Sequence, residues 1–377
     1  MHRKILVAGV AISAALLAAC SSGSSTSAPA ASSAAAAPAS SAAAAPAASS
    51  AAAAPAAPTD DSNCADPAVI CVGLVTDTGK VDDKSFNQSA WEGAQAGAAA
   101  INGFSKYIET TDPKDYAANI QQFVDKGYDT VVTVGFLMGE ATAAAAKANP
   151  NVNFIGVDQF NGVEASAQPN LTGLIFPEDQ AGYAAGYLAG LMTKTNKIGA
   201  VLGTDTVPPV KRFGEGYAAG AKAANPKVDV TLVYHAPDNA FNDPEWGAAE
   251  AQKQLAQGAD IIFGAGGNTG NGALIEIAKA KGAGESVFCI GVDTDQWNTV
   301  PQAQKCLITS AMKLLAEGTS DLVGQAASGS FPGGNYLGKA ALADYHDNGG
   351  AVPADVQQKV KDIIAGLTDG SVKTGVQ

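Results

Sequence analysis

Histidine is scarce in this chain of 377 residues, where it occurs only at His2, His235 and His346. No Cys-x-x-Cys pair is present, so the usual ligand spacing of zinc sites is absent and we expect no metal site. The stretch GAGGNTGNG fails the dinucleotide motif G-x-G-x-x-G, because Thr269 stands at the third glycine position. Neither G-x-x-x-x-G-K-[ST] nor G-x-S-x-G occurs. We therefore expect a protein that has no cofactor and is not an enzyme.

Positive charge is also in deficit. The chain has 23 Lys and Arg against 36 Asp and Glu, which gives a formal net charge of −13 at pH 7. A protein with this charge repels the phosphates of DNA and RNA, so we expect no nucleic-acid partner.

Long apolar runs are absent except near the amino terminus. Residues 5–19 are apolar and follow Arg3 and Lys4. This pattern is typical of a signal peptide, which we assign to 1–19, and the run is too short for a transmembrane helix of about 20 residues. It ends in LLAAC, and small residues before a cysteine resemble a bacterial lipobox. We expect Cys20 to be lipidated; the alternative is ordinary secretion with Cys20 incidental.

Residues 20–62 are mostly Ala, Pro and Ser, with AAAAP repeated. They lack the large apolar side chains whose burial offsets the entropy of folding. We therefore expect a semi-extended tether that carries the lipid anchor. A body of about 315 residues remains, and this length favours two domains.

Short runs rich in Val and Ile alternate with Ala-rich helical stretches through this body. Seven runs are predicted strands: 69–77, 129–136, 153–158, 197–203, 228–234, 259–267 and 286–293. Apolar strands separated by helices are typical of parallel sheets covered on both faces. The predicted fold class is therefore α/β.

The two halves of the body have similar patterns. The helix and strand of 119–136 match those of 250–267, and each leads to a strand that ends in GVD, at Asp158 and Asp293. We therefore predict two similar lobes. In open α/β sheets, ligands bind beyond the carboxyl ends of the strands. Asp77, Asp158 and Asp293 would then lie around one interlobe cleft.

A Phe-Asn-x-x-x-Trp stretch occurs once in each half, as Phe86, Asn87 and Trp91 and as Phe241, Asn242 and Trp246. We interpret the two stretches as equivalent positions of the two lobes. Two Phe rings, one from each lobe, would then close on a flat ligand from opposite faces. Packing of each ring in its own core is the alternative.

The first of these stretches is predicted to begin a helix. Ser85 and Gln88 have the spacing of a capping box, which starts the helix at Phe86 and places that side chain at the mouth of the cleft. Trp91 lies farther along the helix, and we expect it to pack within its own lobe.

Four cysteines remain in the body, at Cys64, Cys71, Cys289 and Cys306. Exported proteins can form disulfides, and four cysteines allow three pairings. We favour the pairing of sequence neighbours, Cys64–Cys71 and Cys289–Cys306. Four buried free thiols are the alternative.

The stretch LVTDTGKVDDKSFNQSAWEG, at 74–93, resembles the signature of the basic membrane protein (BMP) family of lipoproteins, the purine-nucleoside receptors of ABC importers. GFLMGEAT, TKTNKIGAVLG, RFGEGYAAG, FNDPEWG and CIGVDTDQ resemble further family blocks, in family order. The resemblance implies a type I periplasmic-binding-protein fold with an interlobe cleft. We assign 68–178 and about 294–325 to the first lobe, and 179–293 and about 326–377 to the second.

The resemblance also implies roles for seven residues. Purine stacking falls on Phe86 and Phe241, hydrogen bonding to the base on Asp77 and Asn87, and ribose contacts on Asp158, Asp293 and Lys313. Ionised carboxylates only accept hydrogen bonds, which suits a purine N–H and sugar hydroxyls. Three carboxylates in one cleft would repel a phosphate and favour a nucleoside over a nucleotide. The alternatives are a solvated helix position for Lys313 and helix capping for the aspartates.

The predicted function is thus a lipid-anchored, extracytoplasmic substrate-binding protein that captures purine nucleosides for an ABC transporter. We expect it in the cell envelope, on the outer face of the cell membrane or in the periplasm. Its partners would be the nucleoside and the membrane subunits of the transporter. It would be a monomer that touches the membrane only through its lipid. The alternative is a binding protein for another small ligand, such as a sugar or an autoinducer.

Overall fold

A computed structural model describes residues 57–162 and 167–377. The predicted signal peptide, Cys20 and most of the predicted tether lie outside these ranges. No helix within them is long and apolar enough to cross a bilayer.

The strands are β1 (Cys71–Thr78), β2 (Phe104–Thr110), β3 (Thr130–Val134), β4 (Asn153–Val157), β5 (Leu171–Ile175), β6 (Lys197–Leu202), β7 (Asp229–Tyr234), β8 (Ile261–Ala265), β9 (Phe288–Asp293), β10 (Leu307–Lys313), β11 (Gly334–Leu337) and β12 (Ala340–Leu342). The helices are α1 (Phe86–Ala100), α2 (Tyr116–Asp125), α3 (Gly139–Ala148), α4 (Glu178–Met192), α5 (Pro208–Ala224), α6 (Pro244–Ala256), α7 (Gly267–Ile277), α8 (Gln296–Thr299), α9 (Leu315–Ala327) and α10 (Ala354–Asp369).

The strands form two six-stranded sheets of matching topology. The first has the order β11-β5-β4-β3-β1-β2, and the second has the order β12-β10-β9-β8-β6-β7. The pairs within both sheets are parallel except β10 with β12, which is antiparallel. Position by position, β1 corresponds to β6, β2 to β7, β3 to β8 and β4 to β9. This confirms the predicted α/β architecture of two similar parallel-sheet lobes.

Both faces of each sheet are covered, and the central strands are buried along their whole length. All residues of β3 and of β8 are buried. In the first lobe, α1 and α9 pack on one face, and α2 and α3 pack on the other. In the second lobe, α4, α5 and α10 cover one face, and α6 and α7 cover the other. The carboxyl ends of the strands remain free to form a site.

The described chain passes between the lobes three times: from β5 to α4, from β10 to α9 and from β11 to β12. The crossing segments are hydrogen-bonded to one another, since Leu314 N donates to Lys339 O (2.9 Å) and Gly338 N donates to Ile175 O (2.8 Å). Lys313, at the end of β10, therefore lies directly beside a crossing.

The division of the chain differs from our prediction after residue 294. We assigned about 294–325 to the first lobe, but β10 pairs with β9 in the second sheet. We assigned about 326–377 to the second lobe, but β11 pairs with β5 in the first sheet. The physical reason is that β10 pairs in parallel with β9 in the second sheet. The chain therefore crosses to the first lobe only after Lys313, the last residue of β10.

Two disulfides join the cysteines that are neighbours in sequence. Cys64 is bonded to Cys71, with Cα atoms 5.6 Å apart, and Cys289 to Cys306, with Cα atoms 5.1 Å apart. The first ties the segment before β1 to that strand. The second ties β9 to the residue that precedes β10.

Candidate functional site

One cavity between the lobes brings together the seven residues singled out from the sequence. It contains about 580 Å³ of space, including its open mouth. Its lining includes Asp77, Phe86, Asn87, Asp158, Phe241, Asp293 and Lys313. The remaining lining is largely apolar or glycine.

Two polar side chains of the first lobe line this cavity. Asp77, near the end of β1, and Asn87, in α1, are 8% and 4% exposed. The described residues donate no hydrogen bond to the Asp77 carboxylate, and the buried amide oxygen of Asn87 has no partner. Gly135 follows β3 with φ +114°, and a Cβ there would overlap the Asp77 carboxylate. The glycine therefore makes room for a carboxylate that is available to a ligand.

Burial is the main cause that raises the pKa of Asp77 to about 7, and the nearby carboxylates of Asp83 and Asp158 contribute to the same shift. A buried carboxyl group with no donor from the protein is easier to protonate than one in water. A ligand N–H placed against Asp77 would favour its ionised form.

Aromatic rings from both lobes line the cavity. Phe86 is the first residue of α1, and Phe241 lies in the turn between β7 and α6. Lys313 Nζ is 4.5 Å from the centroid of the Phe86 ring. Phe241 packs on Gly203, where a Cβ would come within 2.5 Å of a ring carbon. Each ring therefore contacts protein as well as the cavity.

The two Phe residues do not occupy equivalent positions, so our interpretation of the repeated stretch as a lobe repeat was wrong. Phe86 follows β1, whose counterpart is β6, whereas Phe241 follows β7, the counterpart of β2. Asn242 is exposed and bonds to Asn268, while Asn87 lines the cavity. Different connections bring the two rings to the same cleft.

The Trp residues of the two Phe-Asn-x-x-x-Trp stretches pack within their own lobes. Trp91 contacts Tyr107 of β2, with ring centroids 5.1 Å apart. Trp246 packs against a core cluster of the second lobe and against His235. Neither Trp lines the cavity.

Two aspartates that line the cavity occupy equivalent places in the two lobes. Asp158 follows β4 and Asp293 ends β9, with left-handed backbones of φ +59° and +64°. The Lys313 Nζ lies 2.6 Å from Asp158 Oδ2 and 3.8 Å from Asp293 Oδ1. Lys313 is in a strand and 3% exposed, which excludes the alternative of a solvated helix residue. Asp158 Oδ1 is buried without a partner, so this cluster can still bind hydroxyl groups.

Three carboxylates, those of Asp158, Asp293 and Glu178, lie near the single ammonium of Lys313. Burial raises the pKa of Asp293, although Lys313 and Ser85 oppose the shift. Burial disfavours the ammonium of Lys313, but the carboxylates of Asp158, Asp293 and Glu178 together raise its pKa. The ammonium therefore stays ionised, and a ligand with its own negative charge would meet an excess of carboxylates.

Sequence reasoning missed Glu178, the first residue of α4. Its Oε2 accepts a hydrogen bond from Arg212 Nε (3.1 Å), and its Oε1 lies 3.9 Å from Lys313 Nζ. Burial raises the pKa of Glu178 to about 7. Nothing in the local sequence distinguishes this residue from an ordinary acid in the first turn of a helix.

The predicted capping box is also wrong. The helix begins at Phe86 as predicted, but the Ser85 side chain does not cap it. The Ser85 hydroxyl instead donates to Asp293 Oδ2 (2.9 Å) in the other lobe, and the carboxylate of Asp83 accepts from the backbone at the helix start. Asp is a preferred capping residue, so Asp83 was the available signal.

An apolar wall of the second lobe was missed as well. Val207, Pro209, Val210 and Phe213, at the start of α5, line the cavity, as does Phe136 of the first lobe. Altogether the cavity offers ring faces, hydrogen-bond acceptors and an ammonium with carboxylates. This arrangement suits a flat apolar group joined to a polyhydroxyl group.

The chain is similar in sequence to known proteins. A family model described as ABC transporter substrate-binding protein PnrA-like, with the short name Bmp, matches residues 70–338. The chain is 33% identical over 322 residues to a CD4+ T-cell-stimulating antigen of Listeria monocytogenes, covering 80% of this chain and 87% of that protein. It is 32% identical over 278 residues to the ABC transporter nucleoside-binding protein BmpA of Lactococcus lactis, covering 70% and 77%.

A solved structure shares the fold. It is an ABC transporter system solute-binding protein from Aeropyrum pernix, with a TM-score of 0.70 and 22% identity, covering 81% of this chain and 92% of that one.

Proposed function

Because the chain belongs to the family of PnrA-like substrate-binding proteins of ABC transporters, we propose that it captures a purine nucleoside outside the cytoplasm and delivers it to the membrane subunits of its transporter. The observation that carries this proposal is the set of groups that line one cavity. Polar groups of Asp77 and Asn87, the rings of Phe86 and Phe241, and the cluster of Asp158, Asp293 and Lys313 all line it. This set suits the polar edge, the ring face and the ribose of a nucleoside.

Each of the seven residues has a proposed contact with the nucleoside. The faces of Phe86 and Phe241 stack on the base, an interaction that tolerates different rings. Asp77 accepts a hydrogen bond from a purine N–H, and Asn87 makes a second contact with the base edge. Asp158 and Asp293 accept hydrogen bonds from ribose hydroxyls, and Lys313 donates to them.

The proposal includes a lipid anchor at Cys20 and a tether formed by 20–62. The sequence LLAAC supports the anchor, and the Ala, Pro and Ser composition supports the tether. The folded body is proposed to act as a monomer and to touch the membrane only through this lipid.

A ligand panel tests the proposed function. The protein expressed from Ser62 is assayed by thermal shift and calorimetry with purine nucleosides, pyrimidine nucleosides, free bases, 5′-monophosphates and simple sugars. Purine nucleosides should raise the unfolding temperature most, since a ligand at 100 times its Kd adds about 2.7 kcal/mol of stability. Tighter binding of monophosphates, or binding of sugars alone, would overturn the proposal.

The same panel distinguishes binding from catalysis. Inosine is incubated with the protein and the mixture is examined for free hypoxanthine by chromatography. A binding protein returns intact nucleoside, whereas release of the base would identify a hydrolase. Selective stabilisation by a sugar would instead favour the alternative of a sugar-binding protein, for which aromatic platforms and aspartates also serve.

A further inference from the structure

One buried carboxylate holds the start of α1. Asp83 is 4% exposed. Its Oδ1 accepts hydrogen bonds from the backbone nitrogens of Ser85 (3.0 Å) and Gln88 (3.1 Å), and its Oδ2 accepts one from that of Asn87 (3.0 Å). Backbone N–H groups at the start of a helix have no partner within the helix. Asp83 therefore fixes the turn that presents Phe86 and Asn87 to the cavity.

The same segment touches the opposite lobe. The carbonyl oxygen of Asp83 accepts a hydrogen bond from Asn271 Nδ2 (2.7 Å), and that of Lys84 accepts one from Thr299 Oγ1 (2.7 Å). Asn271 belongs to α7 and Thr299 to α8, both in the second lobe. Lys84 has a left-handed backbone, with φ +61°, which is uncommon for a residue other than glycine. The left-handed conformation of Lys84, which presents these carbonyls to the second lobe, is thus one that a lysine rarely adopts.

Asn271 is itself held in place. It is 6% exposed, and its Oδ1 accepts a hydrogen bond from Nε2 of the fully buried Gln296 (2.8 Å). The Oε1 of Gln296 in turn accepts from the backbone nitrogen of Val292 (2.9 Å). Since both ends of the Asn271 amide are engaged, this side chain is a fixed docking point for the carbonyl of Asp83.

We infer that Asp83 is a positioning residue that couples occupation of the base subsite to closure of the lobes. The segment 83–87 faces the cavity through Phe86 and Asn87, and it meets the second lobe through the carbonyls of Asp83 and Lys84. Hinged lobes can make the second set of contacts only when they are closed. The ligand and Asn271 therefore bind the same conformation of this segment, and each favours the other. The inference rests on the proposed function for the identity of the ligand.

The test measures affinity and closure separately, with inosine as the probe. Affinity is measured by calorimetry, and closure by energy transfer between fluorophores attached at the exposed Lys147 of the first lobe and the exposed Lys227 of the second. Asp83→Ala should weaken inosine binding by about tenfold or more and reduce closure at saturating inosine. Asp83→Asn keeps one acceptor oxygen, so its loss of affinity should be smaller.

A second variant acts from the other lobe. Asn271→Ala removes the docking point and leaves the cap of α1 intact. It should weaken inosine binding by about three- to tenfold and reduce closure. The double variant should lose less than the two single losses combined, because both substitutions release the same segment.

A matched control separates positioning from simple capping. Asp112 also lies in the first lobe and also accepts a backbone hydrogen bond at a helical start, from Lys114 N (3.1 Å), but it does not line the cavity. Asp112→Ala should leave inosine affinity within about twofold of the wild type.

The outcomes are distinguishable. If the wild type binds no purine nucleoside, the proposed function fails. If the wild type binds inosine while Asp83→Ala and Asn271→Ala bind and close as Asp112→Ala does, Asp83 is only a helix cap and the inference is wrong. If Asp83→Ala does not fold, Asn271→Ala decides alone, and unchanged closure in that variant overturns the inference.

Discussion

The ammonium of Lys313 and the carboxylate of Asp158 meet across the two lobes, with Nζ 2.6 Å from Oδ2. Lys313 ends β10 in the second lobe, and Asp158 follows β4 in the first. Their side chains are 2% and 6% exposed, so both charges are shielded from water. A buried charge without its partner is unfavourable. The pair therefore favours the closed arrangement of the lobes.

Removal of the Lys313 ammonium should destabilise the protein and weaken nucleoside binding. Lys313→Met leaves Asp158 and Asp293 buried without their cation, and breaking a buried ion pair costs about 3–5 kcal/mol. Denaturant unfolding measures this loss, and calorimetry measures affinity. Lys339→Met serves as the control, because its ion pair with Glu317 is exposed and should be worth less than about 1 kcal/mol. Equal stability of the two variants would contradict the prediction.

The two aromatic rings should contribute to binding more than to stability. Phe86→Ala and Phe241→Ala should each weaken nucleoside binding by about 10- to 100-fold, since stacking on one ring is worth about 1–3 kcal/mol. Both side chains are only partly buried, so the loss of stability should stay below the about 3–5 kcal/mol typical of a core Phe→Ala substitution. Calorimetry and thermal unfolding provide the two measurements.

The controls for the rings are Trp91→Ala and Trp246→Ala, which should reduce stability more than affinity because both side chains pack in their own lobes. The losses from Phe86→Ala and Phe241→Ala should also be non-additive, since both rings contact one ligand. Phe variants that bind normally but unfold early would show that the rings are packing residues.

Nucleoside affinity should fall as the pH is lowered. Burial raises the pKa of Asp77 to about 7, and only the ionised carboxylate serves purely as an acceptor for a purine N–H. Below that pKa the protonated form dominates, so affinity should decrease by up to about tenfold per pH unit. Above it, affinity should level off. Calorimetry between pH 5 and 9 checks this.

Asp77→Asn isolates the contribution of Asp77 from those of Asp83 and Glu178, whose pKa values burial also raises to about 7. Its affinity should be weaker than that of the wild type and depend less on pH. Wild-type affinity that increases toward acidic pH would rule out an ionised Asp77 as the acceptor.

Both disulfides should contribute modestly to stability. They join residues separated by 7 and 17 positions, and closing such short loops is worth about 2–3 kcal/mol each. The paired substitutions Cys64→Ala with Cys71→Ala, and Cys289→Ala with Cys306→Ala, are compared by denaturant unfolding. The second pair should lose slightly more, because its loop is longer. Four free thiols in the native exported protein, detected by alkylation, would refute the pairing.

Cys20→Ala should release the protein from membranes without changing its affinity for nucleosides. The tether separates the proposed anchor from the cavity, so the two properties should be independent. Fractionation of cells followed by calorimetry on the released protein measures both. A variant that still partitions with membranes would show that Cys20 is not the anchor.

The sequence by itself was sufficient for the fold class and for seven of the residues that line the cavity. The seven predicted strands correspond to β1, β3, β4 and β6–β9, because a buried parallel strand must be apolar along its length. Five strands, β2, β5, β10, β11 and β12, were missed, because each is short or has polar residues among its apolar ones. The family resemblance of 74–93 is confirmed by the family match. Asp158 and Asp293 were found because a GVD stretch marks the end of a strand in each half.

The relations between distant segments were decided only by the tertiary structure. Asp83 rather than Ser85 caps α1, because Ser85 meets Asp293 of the other lobe. Phe86 and Phe241 reach one cleft from non-equivalent connections, which spacing along the chain cannot show. The chain crosses between lobes after Lys313, since β10 first completes its pairing with β9. Local patterns determine strands, helices and their ends, whereas these outcomes depend on contacts between residues far apart in sequence.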